Sequence, residues 1–213
     1  MHALVIAGGD APTPLELGVV ARAADLVIAA DSGIGHALAL GLTVDVVVGD
    51  LDSADPVHVE TAAAAGTHVD RHPVDKDMTD LELALCLARD RGARSVTVIG
   101  AGGGRLDHLL ANLLLVAHDE FADLHVDAVA ADARVTVVRG TRTLLGATGS
   151  VVTLLPVGGP ASGVTTRGLR WTLTDDVLLP AATRGVSNEI ATSPVTVTVT
   201  TGVVLAIQPL GDQ

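Results

Sequence analysis

The stretch from Asp45 to Ser53 reads DVVVGDLDS and contains the features that decide the fold. Three consecutive valines form a short apolar run, which is typical of a strand buried on both faces of a parallel sheet. A glycine and two aspartates, Asp50 and Asp52, follow this run directly. Ligands of open parallel sheets bind beyond the carboxyl ends of the strands, so we expect both carboxylates at the functional edge.

Three other apolar runs have the same character and also end in glycine or polar residues. They are residues 3–7 (ALVIA), 26–30 (LVIAA) and 95–100 (SVTVIG). Segments of helical length separate the runs, and apolar side chains recur with helical spacing over residues 81–88 and 106–117. Strands that alternate with helices predict right-handed crossovers and a mostly parallel sheet.

Towards the C-terminus the pattern changes to a period of two in segments rich in Val and Thr. RVTVV (134–138), SVVTLLPV (150–157) and VTVTVTTGVVLAI (195–207) alternate with period two and are separated by Gly and Pro. This pattern is typical of antiparallel strands. We therefore predict an α/β domain with a mostly parallel sheet over residues 1–132, followed by an all-β, sandwich-like domain over residues 133–213.

Composition excludes several classes of function. The formal charge of −12 opposes binding to a phosphate backbone, and a chain with one Phe, one Trp and no Tyr lacks the rings that stack on single-stranded nucleic acid. No apolar run approaches the roughly 20 residues that span a membrane. The opening MHALVIAGGD predicts a first strand rather than a signal peptide, and the single cysteine allows no intrachain disulfide. We expect a cytoplasmic protein without nucleic-acid or membrane partners.

The two aspartates of GDLDS allow two interpretations. If the segment stays extended, both carboxylates point to the same side, which suits Mg²⁺ and its preference for one or two protein carboxylates. The alternative is an Asx turn followed by a helix N-cap at Ser53 or Asp55.

Residues 100–108, GAGGGRLDH, predict a phosphate site. They follow an apolar run and open a helical segment, so successive backbone N–H groups can form an anion-binding nest at a helix N-terminus. Arg105 can add a fork of donors. The spacing matches neither the dinucleotide-binding fingerprint nor the P-loop.

Lys76 lies in VDKDMTD (74–80) and is the only lysine of the chain, which otherwise uses twelve arginines. Thr79 and Glu82 form a capping box for the helix that follows, but that explanation does not cover Lys76. Arginine balances surface charge equally well. At a phosphate, however, the compact ammonium of lysine acts differently from the planar guanidinium of arginine. We therefore predict a site role for Lys76.

Trp171, in GLRWTLT, is the single tryptophan. It can be a core residue, or its ring can stack on a flat or cationic ligand. Ser187 and Asn188 form a polar cluster that turn chemistry explains as well as ligand contact does.

Together these motifs resemble the thiamine pyrophosphokinase family. The matching pieces, in chain order, are DSG (31–33), VGDLDS (48–53), DKDMTD (75–80), GGGRLDH (102–108), GLRWTLT (168–174) and SNE (187–189). The resemblance implies transfer of the pyrophosphoryl group of ATP to the hydroxyl of thiamine, with Mg²⁺, giving thiamine diphosphate and AMP. It also implies a homodimer with active sites at the subunit interface.

The resemblance also implies roles for individual residues. The expected catalytic set is Asp50, Asp52, Asp77, Asp80, Arg105 and Asp107. Mg²⁺ is expected on Asp50, Asp52 and Asp80, with Asp31 and Asp77 helping. ATP is expected to contact Asp31, Ser32, Lys76, Thr79, Gly102, Gly103, Gly104 and His108. Thiamine is expected to contact Trp171, Ser187 and Asn188.

A direct in-line attack of the thiamine hydroxyl fits a site without a protein nucleophile, since such transfer needs positioning and charge neutralisation. Two alternatives stay open. One is a phosphatase that forms an aspartyl phosphate, because VVVGDLDS mimics a strand followed by D-x-D. The other is a module that binds nucleotide or thiamine without turnover, since a fold does not determine function.

Overall fold

The structure is a computed structural model that describes residues 1–13, 24–103 and 105–212. The chain folds into two compact units. Unit 1 comprises Met1–Leu115 and Asp123–Ala131, and unit 2 comprises Val116–Ala122 and Asp132–Gln213. Within the described ranges, every helix is too short or too polar to span a bilayer.

Unit 1 is built on a parallel sheet. Its strands are β1 (His2–Ile6), β2 (Leu26–Ala30), β3 (Val46–Gly49), β4 (His68–Arg71), β5 (Ser95–Ile99) and β6 (His125–Ala130). They lie in the order β6-β5-β1-β2-β3-β4, and each neighbouring pair is parallel. The described helices are α1 (Gly33–Ala39), α2 (Pro56–Ala64), α3 (Asp80–Asp90) and α4 (Leu106–Leu115). The predicted parallel α/β part is confirmed.

The strand order places a topological switch point between β1 and β5. From β1 the chain adds β2, β3 and β4 on one side of the sheet, and then returns to add β5 and β6 on the other side. The segments that leave β1 and β5 therefore diverge and open a crevice beyond their carboxyl ends. This crevice is where the fold by itself favours a ligand.

Helix α3 begins where the sequence predicts it. Thr79 is its N-cap, and the hydroxyl oxygen of Thr79 accepts a hydrogen bond from the backbone N–H of Glu82 at 3.2 Å. Within the helix, Leu81, Ala84 and Leu85 are buried, in agreement with the predicted apolar spacing. The VDKDMTD segment (74–80) therefore ends at the N-cap and first residue of this helix.

The sequence analysis missed two strands of unit 1. Strand β4 lies at the edge of the sheet, and the ends of its sequence HVDR, His68 and Arg71, are exposed, so the apolar run that marks a central strand is lacking. Strand β6 coincides with the region where the sequence pattern changes, which hid its parallel pairing with β5.

Unit 2 is an antiparallel β region, as predicted. Its strands are β7 (Ala133–Leu144), β8 (Val151–Arg167), β9 (Asp176–Leu178), β10 (Asn188–Glu189) and β11 (Val195–Pro209). They are ordered β10-β8-β11-β7, and β9 pairs with β8. Alternate side chains of these strands build an apolar cluster that includes Leu154, Leu178 and Ile190. The period of two in the sequence corresponds to one buried and one more exposed face.

Leu178 and Leu179 are consecutive, but they differ in burial, with 0% of Leu178 exposed against 53% of Leu179. We expect Leu178→Ala to lower the free energy of unfolding by about 2–5 kcal/mol, because it removes buried methyl groups and leaves a cavity. Leu179→Ala should change it by less than about 0.5 kcal/mol. Denaturant unfolding followed by Trp171 fluorescence reports on unit 2, and equal losses in both variants would contradict the described burial.

Candidate functional site

A cavity of about 650 Å³ opens in unit 1 at the switch point of the sheet. Its walls come from the segments that follow β1, β2, β3 and β5, together with the segment before α3 and the first turns of α4. Its position agrees with the expectation that the polar residues after the strands meet at one edge.

The loops after β1 and β5 are joined through their backbones. Gly9 N–H donates to Gly100 O at 2.9 Å, and Asp10 N–H donates to Gly102 O at 2.8 Å. A Cβ atom at Gly9 would lie 1.8 Å from the carbonyl oxygen of Gly102, so this close approach requires glycine. The glycine-rich turn is therefore held in place by a second glycine loop.

Two side chains that the sequence analysis missed support these loops. His36 Nε2, on α1, donates to the carbonyl oxygen of Gly9 at 2.8 Å. Asn112 Nδ2, on α4, donates to the carbonyl oxygen of Ala101 at 2.9 Å. Asn112 is the one polar residue within the apolar run LLANLLL, and this is the signal that could have identified it.

Asp31, Asp50 and Asp52 form an acidic cluster. One carboxylate oxygen from each lies within 4.8 Å of the others. Asp31 is only 8% exposed, and its Oδ1 is buried without a hydrogen-bond partner among the residues that the structure describes. Burial raises the pKa of Asp31, and the charges of Asp80, Asp50 and Asp52 act in the same direction, against a backbone hydrogen bond from Ser32.

The donor set of this cluster fits a hard divalent cation. Mg²⁺ prefers carboxylate oxygens as ligands. A buried carboxylate oxygen that accepts no hydrogen bond has lost its contact with water without gaining a partner, and a cation can restore that interaction. Asp31 Oδ1 is such an atom. The predicted metal residues Asp50 and Asp52 thus lie together, with Asp31 as their neighbour.

The backbone that brings Asp50 and Asp52 together is not extended. Leu51 between them has φ of +64°, and Asp52 N–H donates to Asp50 Oδ1 at 3.2 Å. Asp55 is the N-cap of α2 and accepts a hydrogen bond from Val57 N–H. Of the two interpretations that the sequence allows, the Asx-type turn with an N-cap at Asp55 is the one present. The turn nevertheless leaves the two carboxylates close to each other.

Lys76 reaches into the same cluster. Its Nζ lies 2.5 Å from Asp50 Oδ2 and 3.0 Å from Asp80 Oδ1. The hydrogen bond from Lys76 lowers the pKa of Asp50. Desolvation lowers the pKa of Lys76, but the hydrogen bond to Asp50 and the nearby carboxylate of Asp80 outweigh it, so the pKa of Lys76 is raised above its usual value. The single lysine is therefore a charged bridge between two carboxylates.

Arg105 and Asp107 form an exposed ion pair at the start of α4. Arg105 Nη2 donates to Asp107 Oδ2 at 2.6 Å, and Arg105 Nε donates to Oδ1 at 3.2 Å. The hydrogen bonds from Arg105 lower the pKa of Asp107 to about 2. Arg105 lines the cavity, whereas Asp107 does not.

The remaining predicted residues of unit 1 fall into three groups. Six of them line the cavity: Ser32, Thr79, Asp80, Gly102, Gly103 and His108. Asp77 is exposed and does not line it. Gly104 lies outside the described residues.

The predicted thiamine residues form a second cluster, in unit 2. Trp171 is 53% exposed, so it is not a core residue, and the guanidinium carbon of Arg170 lies 4.8 Å from the centroid of its ring. Asn188 is buried and holds the Trp171 backbone, since its Oδ1 accepts from Trp171 N–H at 3.1 Å and its Nδ2 donates to Trp171 O at 2.7 Å. Ser187 is exposed beside it.

An acidic, glycine-lined cavity at the switch point of a parallel sheet is typical of proteins that bind phosphate compounds with a divalent metal. Two family models match the chain, "Thiamin pyrophosphokinase, catalytic domain" over residues 18–126 and "Thiamin pyrophosphokinase, vitamin B1 binding domain" over residues 141–204. The chain therefore belongs to the thiamine pyrophosphokinase family, which confirms the resemblance.

Known proteins similar to the chain agree with this assignment. Thiamine pyrophosphokinase 3 of Oryza sativa is 27% identical over 167 residues, which cover 73% of the chain and 62% of the relative. The chain spans about half to three-fifths of the length of the curated relatives it matches. The crystal structure of thiamin pyrophosphokinase from Geobacillus thermodenitrificans is 28% identical with a TM-score of 0.81, over 98% of the chain and 97% of that protein. The Bacillus subtilis structure, at 23% identity, has the same fold with a TM-score of 0.84 and covers 98% of the chain and 99% of its own.

Gly49 ends β3 beside the cluster with φ of +147°, and a Cβ atom there would lie 2.8 Å from Asp80 Oδ1. We expect Gly49→Ala to lower the free energy of unfolding by about 3 kcal/mol or more, because backbone strain and crowding act together. Gly41 has φ of +69° and no atom within 4 Å of its would-be Cβ, so Gly41→Ala should cost only the strain, about 1–2 kcal/mol. Denaturant titration measures both. A Gly49→Ala loss no larger than that of Gly41→Ala would disprove the crowding.

Proposed function

We propose that the protein transfers the pyrophosphoryl group of ATP to the hydroxyl of thiamine, giving thiamine diphosphate and AMP with Mg²⁺. The observation that carries this proposal is the buried, partnerless Asp31 Oδ1 in a carboxylate cluster on the wall of the glycine-lined cavity. Membership of the family supports the choice of thiamine as acceptor. Residues 1–132 would carry the nucleotide and metal site, and residues 133–213 the thiamine site.

The glycine turn and the helix after it supply donors for the phosphates. The turn at Gly102 and Gly103 lies shortly before α4, which begins at Leu106 and whose N-terminal backbone N–H groups favour an anion. Arg105 lines the cavity with a guanidinium that can bind phosphate oxygens in place of Asp107. In this proposal Asp107 orients Arg105 until the nucleotide arrives.

Asp31, Asp50 and Asp52 would hold Mg²⁺, with Asp80 and Asp77 as further predicted contributors. Bound Mg²⁺ would neutralise negative charge on the phosphate oxygens, which is the main requirement of this type of transfer. The carboxylates fix the position of that charge relative to the glycine turn. The thiamine hydroxyl then attacks the β-phosphorus in line, AMP leaves, and the proton passes to an aspartate or to solvent.

The cluster of Trp171, Ser187 and Asn188 in unit 2 has the chemistry to bind thiamine. The thiazolium ring of thiamine is cationic, and Trp171 already has a cation, that of Arg170, over its ring. Asn188 fixes the Trp171 backbone, so little further conformational entropy is lost when a ligand stacks on the ring. We also propose that the protein acts as a homodimer with active sites at the subunit interface.

Asp50→Asn should lower the rate of AMP and thiamine diphosphate formation by at least about 100-fold, because it removes a carboxylate that would hold the metal. The measurement is product formation from ATP, MgCl₂ and thiamine, and the wild type should give AMP and thiamine diphosphate in equal amounts. Asp90→Asn removes a carboxylate at the far end of α3, beside Arg89, and should leave the rate unchanged.

Three results would contradict the proposal. Full activity in Asp50→Asn would remove Asp50 from the site. A wild type that binds thiamine but makes no AMP would be the non-catalytic binding module. An isolated aspartyl phosphate would replace in-line transfer with the phosphatase-like route.

Trp171→Ala should raise KM for thiamine about tenfold and leave kcat nearly unchanged, since stacking on a cationic ring binds the ground state and transition state alike. Trp171→Phe keeps a ring and should recover most of the affinity. Initial rates at varied thiamine and saturating ATP test this expectation. An unchanged KM in Trp171→Ala would place thiamine elsewhere.

A further inference from the structure

The ammonium of Lys76 occupies carboxylate oxygens that a divalent cation would use. It lies 2.5 Å from Asp50 Oδ2 and 3.0 Å from Asp80 Oδ1. The other oxygen of Asp50, Oδ1, accepts the backbone N–H of Asp52. Both oxygens of Asp50 are therefore engaged within the chain, although Asp50 belongs to the cluster with Asp31 and Asp52.

The cluster contains more negative charge than Lys76 balances. Asp31, Asp50, Asp52 and Asp80 lie close together, and Lys76 brings one positive charge to them. The partnerless Oδ1 of Asp31 shows that Lys76 does not satisfy the deepest carboxylate. A divalent cation can compensate the cluster more completely than a single ammonium, because its charge is twice as large.

Lysine suits such an exchange better than arginine. The lysine ammonium is a compact point charge with three donors on a flexible four-carbon stem. The side chain of Lys76 is only 13% exposed at the bridge, yet Lys76 also lines the cavity into which its ammonium can turn. A planar guanidinium would be tied to a fixed bidentate geometry.

We propose that Lys76 is an exchangeable internal counter-ion. Its ammonium neutralises Asp50 and Asp80 while no divalent cation is bound, leaves them when one binds, and then faces the phosphates in the cavity. The inference rests on the proposed function for the identity of the metal and the nucleotide. It assigns Lys76 the role of a positioning residue that sets the affinity of the cluster for the metal alone.

Lys76→Gln separates this role from that of a simple structural ion pair. Without the ammonium, the carboxylates repel one another, so the metal-free variant should have a lower Tm than the wild type. Its affinity for MgCl₂ alone should rise about tenfold, because the competing cation is gone. Each added increment of MgCl₂ should therefore raise the Tm of Lys76→Gln more than that of the wild type.

The experiment measures the Kd for MgCl₂ by calorimetry, and Tm against MgCl₂, without nucleotide or thiamine and at constant ionic strength. Arg184→Gln is the matched control, since it also removes one positive charge, paired with Asp176 at 2.7 Å in unit 2. The control should bind MgCl₂ as the wild type does. Equal or weaker MgCl₂ binding by Lys76→Gln would overturn the inference.

A measurement on the wild type does not depend on the folding of any variant. Because the chain has one lysine, labelling with ¹³Cε-lysine gives a single side-chain NMR signal. MgCl₂ should shift this signal with the Kd found by calorimetry, whereas KCl at equal ionic strength should not. A signal that stays fixed while MgCl₂ binds would also overturn the exchange.

These outcomes are separate from those of the product assay. A wild type that makes no AMP would refute the proposed function, while tighter MgCl₂ binding by Lys76→Gln would still support the counter-ion. Conversely, the wild type could make AMP while Lys76→Gln binds MgCl₂ no more tightly than the wild type. That result would support the proposed function and refute the counter-ion role of Lys76.

Discussion

Repulsion between carboxylates at the end of β2 and β3 is the constraint on which the candidate site depends. Asp31 and Asp50 follow these two adjacent parallel strands, so the sheet itself brings their charges together. Left uncompensated, such a cluster opposes the compact state. The ammonium of Lys76 bridges Asp50 and Asp80, whereas within the described residues no donor reaches the more deeply buried Oδ1 of Asp31. The first feature offsets part of the repulsion, and the second is an acceptor that the proposed metal would satisfy.

The topology of unit 1 gives this cluster its neighbours. Because the chain returns across the sheet after β4, the loops after β1 and β5 lie side by side at the switch point. Their contact is so close that Gly9 cannot be replaced without displacing the carbonyl of Gly102. His36 and Asn112 hold these same loops from two different helices. Carboxylates, a glycine turn and the guanidinium of Arg105 thus line one cavity, and this is the arrangement on which the proposed binding of a metal–phosphate complex rests.

Much of this arrangement could be predicted from local patterns, and the exceptions have physical reasons. Central strands were recognised because burial on both faces produces apolar runs, while β4 was not, because an edge strand does not need one. The N-caps at Thr79 and Asp55 are local chemistry and were readable. Of the two interpretations of Asp50 to Asp52, the turn is the one present: Leu51 has a left-handed φ, and the backbone N–H of Asp52 donates to Asp50 Oδ1. His36 was missed because its partner Gly9 lies 27 residues away.

The sequence by itself determined the two kinds of secondary structure, the order of the motifs and the membership of the family, because periodicity and short motifs are local properties of the chain. It also singled out Lys76 as an unusual residue. Only the tertiary structure decided which charges meet. Lys76 is 26 residues from Asp50, and Asp31 is further from Asp80, so their proximity arises from the parallel pairing of β2 with β3 and from the packing of α3. The burial of Asp31 Oδ1, to which no described residue donates, likewise results from the assembled edge of the sheet and not from a local sequence pattern.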